Sequence, residues 1–299
     1  ASPRLGGRGA RAPVGICGGA WRRLPANQPN RQETTGLPAS STKLMDMGTL
    51  PAALDPASLE GLSAEQLLRT VTGHFGSRFA ISTSFQRDGM VIIDLALRID
   101  PATRIFTLDT GRLPEETFAV MEAVRSRYGA RVELVYPDAA EVEAMTTLFG
   151  PNLFRASVAQ RKLCCQVRKV RPMERKMAEF EAHAVGLRRE QSGERAATPK
   201  AQCVQGKWKF APIADWTSEQ VEEYLAKNGV PRHPLESQGY PSIGCAPCTR
   251  PITAGESERA GRWWWEQDGG KECGLHVTPE GRMKRELDVL LEEVLAARR

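Results

Sequence analysis

The sequence contains no apolar run of the length that crosses a bilayer, and positive charge is not spread along it. The net charge is +5, but residues 1–44 alone carry +6, with seven basic residues against one acidic residue, so residues 45–299 carry −1. Duplex nucleic acids require a broad basic surface, and residues 45–299 do not supply one. We therefore expect a soluble, cytoplasmic protein that binds neither membranes nor nucleic acids.

Cysteines are few and their number, seven, is odd. An odd set does not suit a secreted disulfide framework, so metal binding or catalysis in a reducing compartment is the better expectation. Cys164 and Cys165 are adjacent, and a disulfide between neighbours would strain the peptide that joins them. Cys245 and Cys248 form a C-x-x-C pair, which is the spacing at which two thiolates hold one metal centre.

These four cysteines together supply four thiolates, although each pair has a plainer interpretation on its own. A lone C-x-x-C is also typical of a redox pair, and adjacent cysteines are often only buried small residues. A tetrahedral zinc ion needs all four sulfurs around one ion, which is awkward for neighbours whose side chains diverge. A [4Fe–4S] cluster offers each sulfur its own iron, so the full set favours a cluster.

Short β-rich runs alternate with amphipathic helical stretches from residue 60 onward. This alternation predicts an α/β fold with a mainly parallel sheet and helices on both faces. Strands are predicted at residues 78–83, 104–108, 131–136, 183–187 and 209–213. Helices are predicted at residues 63–75, 88–99, 114–128, 138–148, 167–180 and 217–228, and from about residue 280 onward.

The composition divides the chain into three parts. Residues 1–47 are expected to be a disordered or transit-like tail, because they are rich in Gly, Pro, Arg and Ser without hydrophobic periodicity. Residues 48–234 are predicted to form a nucleotide-binding α/β domain. Residues 235–299 are predicted to be a loop-rich C-terminal segment with the C-x-x-C pair, a catalytic cysteine and a terminal helix.

Two loops follow predicted parallel strands and carry short polar side chains. Ser82 and Ser84 follow the first strand, and Asp109 and Thr110 follow the second. Ligands of open parallel sheets bind beyond the carboxyl ends of the strands, where hydroxyl groups and helix N–H groups can contact an anion. We therefore predict that these four residues contact the substrate.

Several motifs together resemble the assimilatory adenylyl-sulfate reductases, which belong to the wider phosphoadenylyl-sulfate reductase family. The similarity spans roughly residues 60–278. It rests on the two cysteine pairs, on Cys273, and on the segments CCQVRK (164–169), GLRREQSGER (186–195), CAPCTRP (245–251), RAGRWWWE (259–266) and KECGLH (271–276). The DTGR segment at 109–112 agrees with it.

The resemblance implies an adenine-nucleotide α-hydrolase-like fold with a [4Fe–4S] cluster on Cys164, Cys165, Cys245 and Cys248. It implies that Cys273 attacks the sulfur of adenosine 5′-phosphosulfate and expels AMP. Thioredoxin or a similar dithiol would then release sulfite from the resulting S-sulfocysteine. By the same resemblance, the residues predicted to hold the substrate include Lys169, Arg195, Arg259, Arg262, Gly186 and His276.

Five questions stay open at the level of sequence. The substrate could instead be the 3′-phosphorylated nucleotide, and the cysteines could instead hold zinc in a nucleotide-binding module without turnover. The tryptophans at 263–265 either stack on adenine or pack the C-terminal segment. One of Arg188 and Arg189 is expected to contact the nucleotide, and a homo-oligomer is a candidate assembly.

Overall fold

The strands of the protein form one six-stranded sheet in a computed structural model, which describes residues 54–204, 206–266 and 281–298. They are β1 (Phe79–Ser82), β2 (Arg104–Leu108), β3 (Val132–Val135), β4 (Ala182–Ala184), β5 (Ala201–Val204) and β6 (Lys207–Phe210). Their order across the sheet is β3-β2-β1-β4-β6-β5. Every neighbouring pair is parallel except β5 with β6, so the predicted mainly parallel sheet is confirmed.

The sequence does not predict β5. This strand forms an antiparallel hairpin with β6 at one edge of the sheet, with Ala201 opposite Phe210 and Val204 opposite Lys207. Gly206 lies in the connecting turn with φ of 74°, a left-handed conformation that glycine adopts without steric cost. A glycine turn between two short runs is the signal that would have found this hairpin.

Nine helices surround this sheet within the described ranges. They are α1 (Pro56–Glu60), α2 (Ala64–Phe75), α3 (Arg87–Ile99), α4 (Glu115–Tyr128), α5 (Ala139–Phe149), α6 (Val158–Cys165), α7 (Arg171–Met177), α8 (Ser218–Asn228) and α9 (Gly281–Ala297). The predicted capping boxes are present, since Ser63 caps α2 and Thr217 caps α8, each with a glutamine three residues later. No described helix is both long and apolar enough to cross a membrane.

The helical region that carries the adjacent cysteines starts earlier than the predicted helix at 167–180. Ser157 caps α6 by accepting a hydrogen bond from the Gln160 N–H at 3.1 Å, and α6 ends at Cys165. A π-helical turn then spans Gln166–Val170 and leads into α7. Lys169 therefore lies in a widened turn and not in a regular α-helix, a feature that is frequent at functional sites.

Apolar residues fill both faces of the sheet, because side chains alternate along each strand. On one face, Ile81 and Ile105 pack with α2, α3 and α8, and on the other, Ala80 and Phe106 pack with Phe180 and α7. A third apolar cluster contains the four cysteines, and Leu287 and Val294 of α9 belong to it. The C-terminal helix therefore packs into the layer that holds the cysteines.

Candidate active site

A cavity of about 220 Å³ lies at the carboxyl ends of β1, β2 and β4. β2 and β4 lie on opposite sides of β1, so the direction of the chain connections reverses at this point. Such a switch point is where open α/β sheets bind ligands. The structure places Ser82, Ser84, Thr110 and Gly186 in the lining of this cavity.

The four cations predicted to hold the substrate also line this cavity, which is therefore called the cation-rich cavity. They are Lys169, Arg195, Arg259 and Arg262, and they come from three separate motifs of the sequence. Arg195 and Arg262 are more than nine-tenths buried. Asp88 and Glu258 are the acidic members of the lining, so the described wall carries more positive than negative charge. Such a wall attracts an anionic ligand.

Glycine allows two close approaches in this wall. A Cβ on Gly186 would lie 2.5 Å from the Gly89 nitrogen and 2.7 Å from the Asp88 carbonyl carbon, so the end of β4 touches the start of α3. A Cβ on Gly244 would overlap the guanidinium group of Arg262. Gly186 is therefore required by space, because its neighbours are backbone atoms, whereas a side chain at position 244 would displace the Arg262 guanidinium group. Neither glycine has a positive φ.

Three of the predicted substrate contacts are not among the described residues that line this cavity. Asp109 is not part of the lining, because its carboxylate accepts a hydrogen bond from the Gly111 N–H at 2.8 Å and stabilises its own turn. Neither Arg188 nor Arg189 lines the cavity: Arg188 is fully buried against Asp88, and Arg189 pairs with Glu60. His276 lies outside the described residues.

Other lining residues are not predicted from the sequence, and they include Gln86, Thr107, His183, Gln191 and Ser242. The Gln86 amide donates to Ser84 Oγ at 2.6 Å and accepts from the Ile243 N–H at 2.7 Å, so it joins the β1 loop to the segment before the C-x-x-C pair. Burial lowers the pKa of His183 to about 4, so its ring is neutral near pH 7. Gln191 lies in the GLRREQSGER segment (186–195), which is the signal that could have found it.

The four cysteines line one small cavity beside the first one. Cys164 and Cys165 end α6, whereas Cys245 precedes a short 3-10 turn that Cys248 ends, and all four are buried. The loop of the C-x-x-C pair is fixed by the Ala246 N–H, which donates to the Arg112 carbonyl at 2.8 Å. Segments about 80 residues apart in sequence are thus brought together, as the cysteine motifs predict.

The thiols have unequal electrostatic surroundings. Burial raises the pKa of Cys164, and burial together with the neighbouring Cys245 raises the pKa of Cys248 to about 11. Burial also acts to raise the pKa of Cys245, but Lys169 and the hydroxyl of Thr110 outweigh it, so the net pKa is lowered. Thr110 Oγ1 lies 3.2 Å from Cys245 Sγ.

The donor set of this second cavity suits an iron–sulfur cluster. Four cysteine sulfurs are the usual ligands of a [4Fe–4S] cluster, and basic side chains of Arg112, Arg168 and Lys169 around them offset the negative charge of thiolates. Within the part of the chain that the structure describes, no three His, Cys, Asp or Glu side chains converge as ligands of a single metal ion.

Lys169 and Trp263 line both cavities and form the wall between them. The Trp263 ring is buried between two guanidinium groups, with Arg161 at 4.4 Å and Arg262 at 4.7 Å from its centroid. Arg161 also makes a buried bidentate ion pair with Glu266, with both N···O distances at 2.8 Å. Trp263 therefore packs against charged groups of both sites.

Known proteins are similar to this chain in sequence and in fold. The chain matches the model of the phosphoadenosine phosphosulfate reductase domain over residues 78–251. It is 44% identical over 216 residues to a protein of Allochromatium vinosum named adenosine 5′-phosphosulfate reductase, covering 72% of this chain and 84% of that relative. A protein of the same name from Pseudomonas aeruginosa is 35% identical over 266 residues, covering 85% of this chain and 95% of the relative.

A solved structure agrees with these matches. It is the crystal structure of the phosphoadenylyl-sulfate reductase of Candida auris in complex with phosphate, which is 26% identical with a TM-score of 0.57. The similarity covers 65% of this chain and 94% of that protein. The predicted adenine-nucleotide α-hydrolase-like class of fold is confirmed. The chain belongs to the phosphoadenosine phosphosulfate reductase family.

Proposed function

We propose that this protein reduces adenosine 5′-phosphosulfate to sulfite and AMP in sulfate assimilation. The observation that carries the proposal is the position of Lys169, which lines both the cation-rich cavity and the cavity of the four cysteines. The relatives named adenosine 5′-phosphosulfate reductase support the same substrate. The cytoplasm, where thiols stay reduced, is the compartment that we propose.

The cation-rich cavity is proposed to bind the nucleotide. Lys169, Arg195, Arg259 and Arg262 contact the phosphosulfate, and the side chains of Ser82, Ser84 and Thr110 and the backbone at Gly186 line the remaining wall. A dianionic substrate and an anionic thiolate repel each other, so cations are needed for their approach. The same cations stabilise the charge that develops on the departing phosphate.

Cys164, Cys165, Cys245 and Cys248 are proposed to hold a [4Fe–4S] cluster. When bound, the cluster supplies fixed charge next to Lys169, and the proposed reaction does not require it to pass electrons. Lys169 links the cluster to the substrate, because among the described residues it is the cation that lines both cavities.

Cys273 is proposed as the nucleophile, and it lies outside the described residues. Its thiolate attacks the sulfur of the sulfate group, an S–S bond forms, the S–O bond to the phosphate breaks, and AMP leaves with the bonding electron pair. A dithiol of the thioredoxin class then attacks Cys273 sulfur. A mixed disulfide with Cys273 forms, and sulfite departs with the bonding electron pair of the broken S–S bond. The second thiol of the dithiol then breaks the mixed disulfide, so the dithiol ends as a disulfide and Cys273 regains its thiol. Lys271 and His276 also lie outside the described residues; near Cys273 in sequence, they favour its thiolate form.

One purification and one kinetic comparison test the proposal. We expect an anaerobically purified brown protein with about four iron and four sulfide per chain. With thioredoxin as reductant, kcat/KM should be higher for adenosine 5′-phosphosulfate than for its 3′-phosphorylated form. A colourless zinc protein without turnover would support the nucleotide-binding module instead. Equal or reversed kcat/KM values would assign the 3′-phosphorylated substrate.

A further inference from the structure

Gln191 lines the cation-rich cavity, and both ends of its amide are held by charged groups. Its Nε2 donates to Asp88 Oδ2 at 2.9 Å, and its Oε1 accepts from Arg195 Nη1 at 2.6 Å. The Arg188 backbone N–H also donates to Oε1, at 3.2 Å. A carboxylate only accepts and a guanidinium only donates, so a single orientation of the amide satisfies both partners.

The carboxylate behind this amide is fixed in turn. Arg188 Nε donates to Asp88 Oδ1 at 2.5 Å, and the Arg188 side chain is fully buried. Because each oxygen of Asp88 has its own donor, the carboxylate cannot turn without breaking a charge-assisted hydrogen bond. Asp88, Gln191 and Arg195 therefore form a chain of contacts that starts at a rigid ion pair and ends at a cation in the cavity wall.

The amide also separates two opposite charges. If the glutamine side chain were absent, the Arg195 guanidinium could move into the vacated space and approach the Asp88 carboxylate. A direct ion pair would neutralise Arg195 and turn it away from an anionic ligand. A neutral amide that accepts from Arg195 holds the guanidinium without bringing a negative charge to it.

We propose that Gln191 is a positioning residue, which aims Arg195 at the anionic part of the bound nucleotide and keeps it from pairing with Asp88. The inference rests on the proposed function, since it takes the phosphosulfate as the group that Arg195 meets. Gln191 acts through Arg195, so its loss should weaken binding of the charged phosphosulfate group and leave binding of the nucleoside unchanged.

Binding measured by calorimetry on the full-length, cluster-containing protein tests this inference. Cys273→Ala is used as the parent in every sample, so that the substrate is not consumed. The ligands are adenosine 5′-phosphosulfate and adenosine. Gln191→Leu should weaken binding of the phosphosulfate about tenfold, the equivalent of one hydrogen bond to a charged group. Binding of adenosine should not change.

Two further variants sharpen the result. Arg195→Ala should itself weaken phosphosulfate binding, and adding Gln191→Leu to it should have no further effect, because residues that act through one contact are not additive. Gln202→Leu is the matched control, since Gln202 is exposed on β5 and outside the cavity lining. It should bind both ligands as the parent does.

The outcomes separate the inference from the proposed function. Equal weakening of both ligands by Gln191→Leu, no weakening, or additive effects with Arg195→Ala would each overturn the positioning role. If Gln191→Leu does not fold, Gln191→Glu replaces it; the new carboxylate pairs with Arg195, so phosphosulfate binding alone should again fall. A parent protein that binds adenosine but not the phosphosulfate would overturn the proposed function instead.

Discussion

Lys169 shows how a single residue joins two sites in this protein. It follows the adjacent cysteines by four positions in sequence, and the π-helical turn at Gln166–Val170 carries it into the wall of both cavities. The pKa of Cys245 is lowered although burial acts to raise it, and Lys169 is the largest of the groups that offset burial. The charge of Lys169 therefore acts on the thiols of the cysteine cavity as well as on the cation-rich cavity.

At the same scale, Cys273→Ser tests the proposed nucleophile. The variant should keep its brown colour and its nucleotide binding, because the four cysteines and the cations of the wall are unchanged. Sulfite production should fall by orders of magnitude, since a serine hydroxyl is a far poorer nucleophile near neutral pH.

Mass spectrometry gives the complementary measurement on the unmodified protein. Without thioredoxin, the substrate should add one sulfonate to the peptide that contains Cys273 and release one AMP, and a dithiol should remove the adduct. A serine variant with full activity and a wild-type protein without an adduct would mean that the dithiol attacks the nucleotide directly.

At the scale of elements, the contact between the end of β4 and the start of α3 is set by Gly186. Gly186→Ala should lower the free energy of unfolding by about 1–3 kcal/mol, because its Cβ meets backbone atoms that cannot rotate away. Nucleotide affinity should also fall, since Asp88 and Gly89 line the cavity. Urea denaturation and calorimetry measure the two effects.

Gly193→Ala is the control for this substitution, because a Cβ at Gly193 meets nothing within 4 Å. It should change neither quantity by much. Similar losses in both variants would show that glycine flexibility, and not the contact between β4 and α3, accounts for the effect.

A second prediction at this scale concerns Glu133 of β3, which pairs with Arg104 of β2 and Lys176 of α7. Hydrogen bonds from Arg104 and Lys176 lower the pKa of Glu133 from 4.5 to about 2, against the effect of burial. A lowered carboxyl pKa contributes stability above the unfolded value of 4.5, and that stability is lost as the pH falls toward 2. Glu133→Gln should therefore cost of the order of 1–2 kcal/mol at pH 7, allowing for solvent screening.

Urea denaturation of wild type and Glu133→Gln at pH 7 and at pH 3 measures this dependence. The difference between the two proteins should be clearly smaller at pH 3. Glu65→Gln serves as the comparison, because the Glu65–Arg69 ion pair is about 60% exposed and should be worth little at either pH. A difference for Glu133→Gln that does not change with pH would contradict the assignment.

At the scale of the whole molecule, the described residues from 54 onward belong to one compact unit. The boundaries at 47 and 234 remain predictions, as do the three parts that they separate. Deleting residues 1–44 should leave the yield of soluble protein, the cluster content and the specific activity unchanged, because this sequence offers no periodic apolar surface to bury. Loss of soluble protein on deletion would contradict that prediction.

Sequence patterns were sufficient where the physical cause is local. The capping boxes at Ser63 and Thr217, the strand Arg104–Leu108 and the helix Arg87–Ile99 depend on side chains within a few positions of each other. The cysteine spacing likewise limits the metals that suit the chain, because adjacent side chains diverge. The hairpin of β5 and β6 has weaker local signals and was missed.

Contacts between distant segments were decided only by the tertiary structure. Arg188 has the residue type of a nucleotide ligand, but it pairs with Asp88, 100 positions away. The two partners of Gln191, Asp88 and Arg195, are likewise known only from the fold, although the residue itself lies in a recognised motif. A sequence fixes which groups are available and how nearby ones bond, whereas the partner of a charged side chain depends on which strands and helices pack beside it.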